Sequence, residues 1–231
     1  MLNIPLPLIF VAFLGGVIPA TLWLFFWLLE DRCKPEPKKL IFFSFLGGAI
    51  AVPLVIPFQQ WALASLSGSA VLVAWAIIEE LFKFVAAYFI ALRHRALDEP
   101  IDAIIYMITV ALGFSALENT LFLLGPLQSG DTLQGILTGN LRFIGATLLH
   151  TLASATIGIA IAISFYKKIS MRRLYLAGGV ALAIALHALF NFFVLKDSGG
   201  GVFTIFLFVW IGVIITMLFF ERVKHPTKNY C

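Results

Sequence analysis

Seven stretches of this chain, at about 4–29, 40–63, 69–92, 101–124, 140–166, 173–194 and 202–220, are apolar throughout most of their length. Each is roughly 20 residues long, which is what a helix needs to cross ~30 Å of hydrocarbon. The expected fold is therefore all-α: a polytopic transmembrane helix bundle of about seven spans, forming a single integral membrane domain over residues 1–231. Composition agrees. The chain is 61% hydrophobic and only 12% charged, where a soluble domain would carry about a quarter charged residues. Its net charge of +4 is modest and gives no reason to expect a nucleic-acid partner. The expected partner is the lipid bilayer. Pro53 and Pro57 are expected to kink the second helix, which membranes tolerate where neighbours re-satisfy the backbone.

The basic residues orient the bundle. They gather in 30–39 (Arg32, Lys34, Lys38, Lys39), 93–100 (Arg93, Arg95), 167–173 (Lys167, Lys168, Arg172, Arg173) and the tail (Arg222, Lys224, Lys228). The alternate segments are nearly bare, with Lys196 alone in 195–201. By the positive-inside rule the N-terminus is expected outside and the C-terminus in the cytoplasm. The first segment lacks a basic leader and a small-residue cleavage site, so a retained helix is expected. Cys33 and Cys231 then share the cytoplasmic side, where no disulfide is expected.

Against this apolar background stand Glu79, Glu80, Lys83, Glu118, His150 and His187. A charge near the bilayer centre costs at least ~2.5–3.5 kcal/mol by insertion scales, so these residues are expected to face each other or water. Counting ~1.5 Å per helical residue from the outer ends of their helices puts the ionisable group of every one of these helices roughly 9–15 Å below the outer surface. Independent placement would scatter them; a shared depth points to one site. Glu79 and Glu80 lie four and three residues before Lys83, so either can pair with it on one helix side. His187 and Asn191 are four apart and share a face. Asn119 directly follows Glu118.

Two histidines, several carboxylates and amide donors suit the activation of water. In one arrangement a glutamate is the general base and a histidine helps to hold the water. In another, Glu118, His150 and His187 bind zinc as a His₂Glu set with an open fourth position, and a helix-three glutamate is the base. Asn119 or Asn191 would hold a developing oxyanion. Other protease chemistries lack their residues. There is no H-E-x-x-H, no G-x-S-x-G and no intramembrane aspartate pair, since Asp102 lies at an inner edge and Asp131 in a loop.

The motifs carry a resemblance. Glu79-Glu80-Leu81-Phe82-Lys83 reads E-E-x-x-K, Phe114 to Asn119 reads F-x-x-x-E-N, His150 stands on the next helix, and His187 to Asn191 reads H-x-x-x-N. In this order, over about residues 70–195, the chain resembles the PrsW family of intramembrane proteases, relatives of the type II CAAX prenyl proteases and Abi-type membrane proteins. The resemblance implies a cell-membrane enzyme that cuts a single-pass membrane protein, with anti-sigma factors as the known example. The cut would fall on the extracytoplasmic side and start regulated intramembrane proteolysis. Carried over by position, Glu79 and Glu80 would activate water, Glu118, His150 and His187 would complete the centre, and Lys83, Asn119 and Asn191 would support it. The motif leaves open whether the chemistry uses a metal or glutamate alone.

Plainer readings compete. Glu79, Glu80 and Lys83 also suit a structural ion cluster, and Asn119 and Asn191 suit interhelical glue. Arg142 reads as an interfacial anchor, and His94 and His225 as solvated residues. Buried Glu, His and Lys also build proton relays, as in a proton-coupled transporter, but here no polar ladder continues inward. A non-catalytic membrane scaffold or immunity protein would keep the fold and lose only the chemistry.

Overall fold

The computed structural model describes residues 5–29, 34–130, 145–196 and 202–224. Arg32, Cys33, Asp131, Arg142, the loop from Asp131 to Gly139, the turn after Lys196, and the tail from His225 to Cys231 lie outside the described residues. Seven α-helices occupy the described part, with no strand among them: α1 (Leu6–Leu29), α2 (Lys38–Ser65), α3 (Ser69–Ala87), α4 (Pro100–Gln128), α5 (Thr147–Ser164), α6 (Ile169–Lys196) and α7 (Val202–Lys224). A π-helical turn, Tyr88–Leu92, continues α3.

Six of these helices are long and apolar enough to cross a membrane, and α3 is the exception. Its 19 residues carry Glu79, Glu80 and Lys83, so the sequence expectation of seven spans rests on what neutralises them. Helix ends differ modestly from the apolar limits. Helix α4 runs through Pro126 to Gln128, and Arg172 and Arg173 are part of α6 rather than of a link. Pro53 and Pro57 lie inside α2, which is assigned as one helix from Lys38 to Ser65.

Helix α4 is the axis of the bundle. Every residue from Pro100 to Ala116 is buried, which explains why it is apolar on all sides rather than along one stripe. Helices α1, α2 and α5 pack around it, and α6 packs on α5 and α3. The approach to α4 is close because small residues line it: a Cβ on Gly48 would stand 1.9 Å from the Val110 carbonyl oxygen, and one on Gly113 1.8 Å from that of Phe45. Helix α7 closes against α1 through Trp23–Trp210 and Trp27–Phe220 ring contacts at 6.1 and 5.3 Å.

Two turns fix the placement of α3 and α4. Gly68, at φ +60°, reverses the chain between α2 and α3 in a conformation that an L side chain rarely adopts. At the other end, Asp102 accepts backbone N–H groups of Asp98 and Glu99 at 2.9 and 2.7 Å, and with Glu99 forms a capping box that starts α4, satisfying orphan donors. Lys34 bridges Asp98 at 2.8 Å and Glu99 at 3.2 Å. The Asp98 hydrogen bond holds its ammonium above the ordinary lysine range. The Tyr106 hydroxyl donates to Glu36 beside it. The segments 34–37 and 93–100 thus share one end of the bundle, far along α4 from Glu118.

Candidate active site

Helices α3, α4, α5 and α6 bring their ionisable residues to one place. Glu79, Glu80 and Lys83 of α3, His150 of α5 and His187 of α6 are all buried. Burial of this many charges demands that they satisfy each other, and most of them do. Glu80 is saturated. One of its oxygens takes the Lys83 ammonium and the Nδ1–H of His187 at 2.8 Å; the other takes the Ser154 hydroxyl at 3.2 Å. Lys83 also donates to His150 Nδ1 at 2.9 Å and lies over the Phe114 ring, 4.8 Å from its centroid. His150 Nε2 meets Glu118 Oε2 at 3.0 Å.

These contacts fix the tautomers. An ammonium can only donate, so Nδ1 of His150 is its acceptor and Nε2 carries the hydrogen toward Glu118. His187 uses its ring the other way round: Nδ1–H donates to Glu80, and Nε2 lies 3.6 Å from Glu79 Oε2. The two rings stand edge to face, 5.0 Å apart at 83°, and Phe114 packs on His150 at 5.4 Å.

Glu79 is different from its neighbour. Its Oε1 accepts from Gln59 Nε2 of α2 at 2.9 Å. Its Oε2 is buried with no hydrogen-bond partner, 3.6 Å from His187 Nε2 and 3.9 Å from His150 Nδ1. Adjacent residues on a helix point about 100° apart, and here that rotation sends Glu80 into the α5–α6 contact and Glu79 toward the rings and α2.

One ligand atom each from Glu79, His150 and His187 lies within 4.8 Å of the others. Tetrahedral zinc with bonds of 2.0–2.2 Å sets its ligand atoms roughly 3.3 Å apart. Two imidazole nitrogens and an unpartnered carboxylate oxygen match zinc in donor chemistry, at separations wider than a bound ion would set and with His150 Nδ1 already accepting from Lys83. Glu118 approaches His150 through the opposite ring nitrogen instead of joining that group.

Of the two amides named from the sequence, Asn119 donates to Thr147 Oγ1 at 2.9 Å, joining α4 to α5. Asn191 is half-buried on α6, one turn beyond His187. Gln59 and Ser154 belong to none of the sequence motifs, and Phe114 entered only as the first residue of F-x-x-x-E-N. Ser154 follows His150 by four residues, and Gln59 is one of two amides near the end of an otherwise apolar run, so both left a faint signal.

Removing Lys83 leaves Glu80 buried without its cation. Lys83→Met is expected to destabilise the fold by about 3–5 kcal/mol, read as a lowered melting temperature of the detergent-solubilised protein. An unchanged melting temperature would show that Lys83 does not neutralise Glu80.

An apolar helical bundle that gathers carboxylates and imidazoles in a buried cluster has the equipment of an intramembrane hydrolase, and the comparisons agree. The model of the PrsW family, described as PrsW family intramembrane metalloprotease, matches residues 36–219. The chain is 30% identical over 193 residues to the Protease PrsW of Geobacillus kaustophilus, covering 81% of each chain. It is 30% identical over 224 residues to that of Oceanobacillus iheyensis, covering 93% of this chain and 95% of the other. To that of Bacillus subtilis it is 24% identical over 185 residues, covering 77% and 80%. No solved structure matches it. The chain belongs to the PrsW family. It is a protease and a multi-pass membrane protein.

Proposed function

We propose that this protease hydrolyses a peptide bond of a single-pass membrane protein near the extracytoplasmic face of the cell membrane, with a zinc ion held by Glu79, His150 and His187. The observation that carries this reading is the buried, unpartnered Oε2 of Glu79, aimed between the two rings. A zinc ion bound there would polarise the scissile carbonyl and lower the pKa of a bound water toward ~7.

The other residues hold protons and orientation. Glu80 fixes His187 through Nδ1–H, and Glu118 fixes His150 through Nε2–H, as carboxylates do behind metal-binding histidines. Lys83 neutralises Glu80. Use of His150 Nδ1 as a ligand requires the Lys83 ammonium to release that lone pair while it keeps Glu80. Glu118, with its side chain 16% exposed, is the most open carboxylate of the cluster and takes the proton from attacking water. Asn191 is the proposed oxyanion donor, and Asn119 holds α4 to α5.

In this reading all seven helices cross the bilayer as one domain, 1–231, with its catalytic core at about 70–195. Helix α3 crosses because its charges are neutralised inside. The N-terminus lies outside, and the basic segments keep the inner end in the cytoplasm. On α4, Glu118 lies about 24 Å from the inner-end Asp102 by helical rise, which supports a site in the outer half. A soluble peptide would have to cross lipid to reach it, so the substrate is a protein already in the membrane. An anti-sigma-factor-like protein fits, receiving the first cut of a regulated proteolytic cascade.

The test is a proteoliposome holding the purified chain and a single-pass test substrate of that kind, with the products mapped by mass spectrometry. The expected cut lies in the outer third of the substrate's span, stops on chelation and returns with zinc. Cleavage at the cytoplasmic end would overturn the orientation, and chelator-resistant cleavage would overturn the zinc.

A further inference from the structure

We propose that Gln59 on α2 is a positioning residue for Glu79, locking its carboxylate so that only Oε2 faces the two imidazoles; this rests on the zinc reading of the site. A carboxylate turns easily about its last side-chain torsion, which is broad and roughly two-fold. Of Glu79's two oxygens, Oε1 is tied to Gln59 Nε2 at 2.9 Å, and the partnerless one is the oxygen that lies against His150 and His187. An ionised carboxylate only accepts, so the Gln59 amide must present its NH₂ group to it. A neutral amide suits this role. It steers one oxygen without adding a charge that would compete with the metal.

The backbone of Gln59 is pinned as well. The Trp75 indole N–H donates to its carbonyl at 3.1 Å. Trp75 and Glu79 are four residues apart, so they lie on the same side of α3. Gln59 is thus clipped to α3 through both backbone and side chain, and the clip ends on the carboxylate whose other oxygen faces the two imidazoles. Outer groups that hold metal ligands in this way typically change metal affinity by 10–100-fold when removed. An amide that merely joins two membrane helices would stabilise the fold and leave metal affinity alone.

The experiment measures zinc affinity of the full-length, detergent-solubilised chain by competition with a chromogenic chelator, alongside the melting temperature of the metal-free protein. Gln59→Leu is expected to weaken zinc binding by about 10–100-fold. Gln59→Asn keeps an amide but draws it back by one methylene; it is expected to weaken binding in the same way in a chain that folds like the parent. Gln60→Leu, at the exposed neighbouring position, is expected to leave affinity unchanged. Parental affinity in a folded Gln59 variant, even with a lowered melting temperature, overturns the positioning role. Glu79→Gln separates the two ideas. If it loses zinc while the Gln59 variants keep it, only the role of Gln59 fails. If it keeps parental affinity, or if the parent binds no zinc, the metal reading fails.

Discussion

Glu79→Gln is expected to remove zinc binding and lower proteolysis by at least about 10³-fold, in a protein that inserts and folds normally. The reasoning is local. The substitution keeps shape and volume, and the new amide oxygen can still accept from Gln59, so the α2–α3 contact survives. What it removes is the carboxylate oxygen between His150 and His187, in a group where Glu79 is the one carboxylate. Glu80→Gln should behave oppositely. Its carboxylate meets Lys83, His187 and Ser154, and neutralising it strands a buried ammonium, which costs about 3–5 kcal/mol of stability. Two adjacent glutamates would then give two phenotypes, one of chemistry and one of folding. Elemental mass spectrometry and a melting curve on each variant distinguish them. Stoichiometric zinc in Glu79→Gln would remove Glu79 from the ligand set. A His150→Ala/His187→Ala double variant that still held zinc would move the metal site elsewhere.

Gly113→Ala and Gly48→Ala are expected to disrupt the bundle and, through it, the site. At either position the added carbon would lie under 2 Å from a carbonyl oxygen, of Phe45 for Gly113 and of Val110 for Gly48. A backbone cannot swing aside as a side chain can, so α2 and α4 must separate. Overpacking typically costs 1–3 kcal/mol and occasionally more. The chemical consequence follows from sequence adjacency. Phe114, next to Gly113, packs on His150 and under Lys83, and Gln59 on α2 holds Glu79. A shift between these helices therefore disturbs both sides of the cluster. The expected result is a melting temperature lowered by several degrees with activity lost in parallel. Gly178→Ala is the control. Nothing lies within 4 Å of its added carbon, and alanine in a helix interior gains roughly 0.5–1 kcal/mol over glycine. Equal stability of Gly113→Ala and the parent would show that α2 and α4 do not depend on this close approach.

How far the chain could be read varied by element. The six apolar helices follow directly from the length of their runs, because a long uncharged segment carries its own reason to be helical in lipid. The limits of α6 were less legible: Arg172 and Arg173 mark a boundary by charge, yet they continue the helix, since their side chains can reach outward while their backbone bonds inward. The small residues were legible as a class. Gly48 belongs to a Gly-Gly pair, a pattern that permits close helix approach, and it lies close against α4, whereas Gly178, in a similar pair, has open space around it. Gly113, the tightest of the described glycines, against Phe45, sits alone in an apolar run and gave no comparable sign.

The candidate site divides in the same way. Its ionisable residues, their order and their shared depth are properties of the one-dimensional sequence, since a charge in an apolar run must be accommodated wherever the chain goes and helical rise fixes how deep it lies. Which glutamate faces the rings is not such a property. Glu79 and Glu80 are chemically identical and adjacent, and either can reach Lys83. Only the packing of α3 against α2, α5 and α6 separates them, giving Glu80 its donors and leaving Glu79 an oxygen without one. The place of Glu118, behind His150 rather than beside His187, was likewise open until the ring's orientation was known. Gln59 and Ser154 are uncharged, so their presence in a helix demands little by itself, and their meaning comes wholly from what they touch. The sequence by itself determined that these groups had to be buried together. The tertiary structure decided which atoms they present to one another, because hydrogen-bond direction is a matter of ångströms and angles that no spacing along a single helix can set.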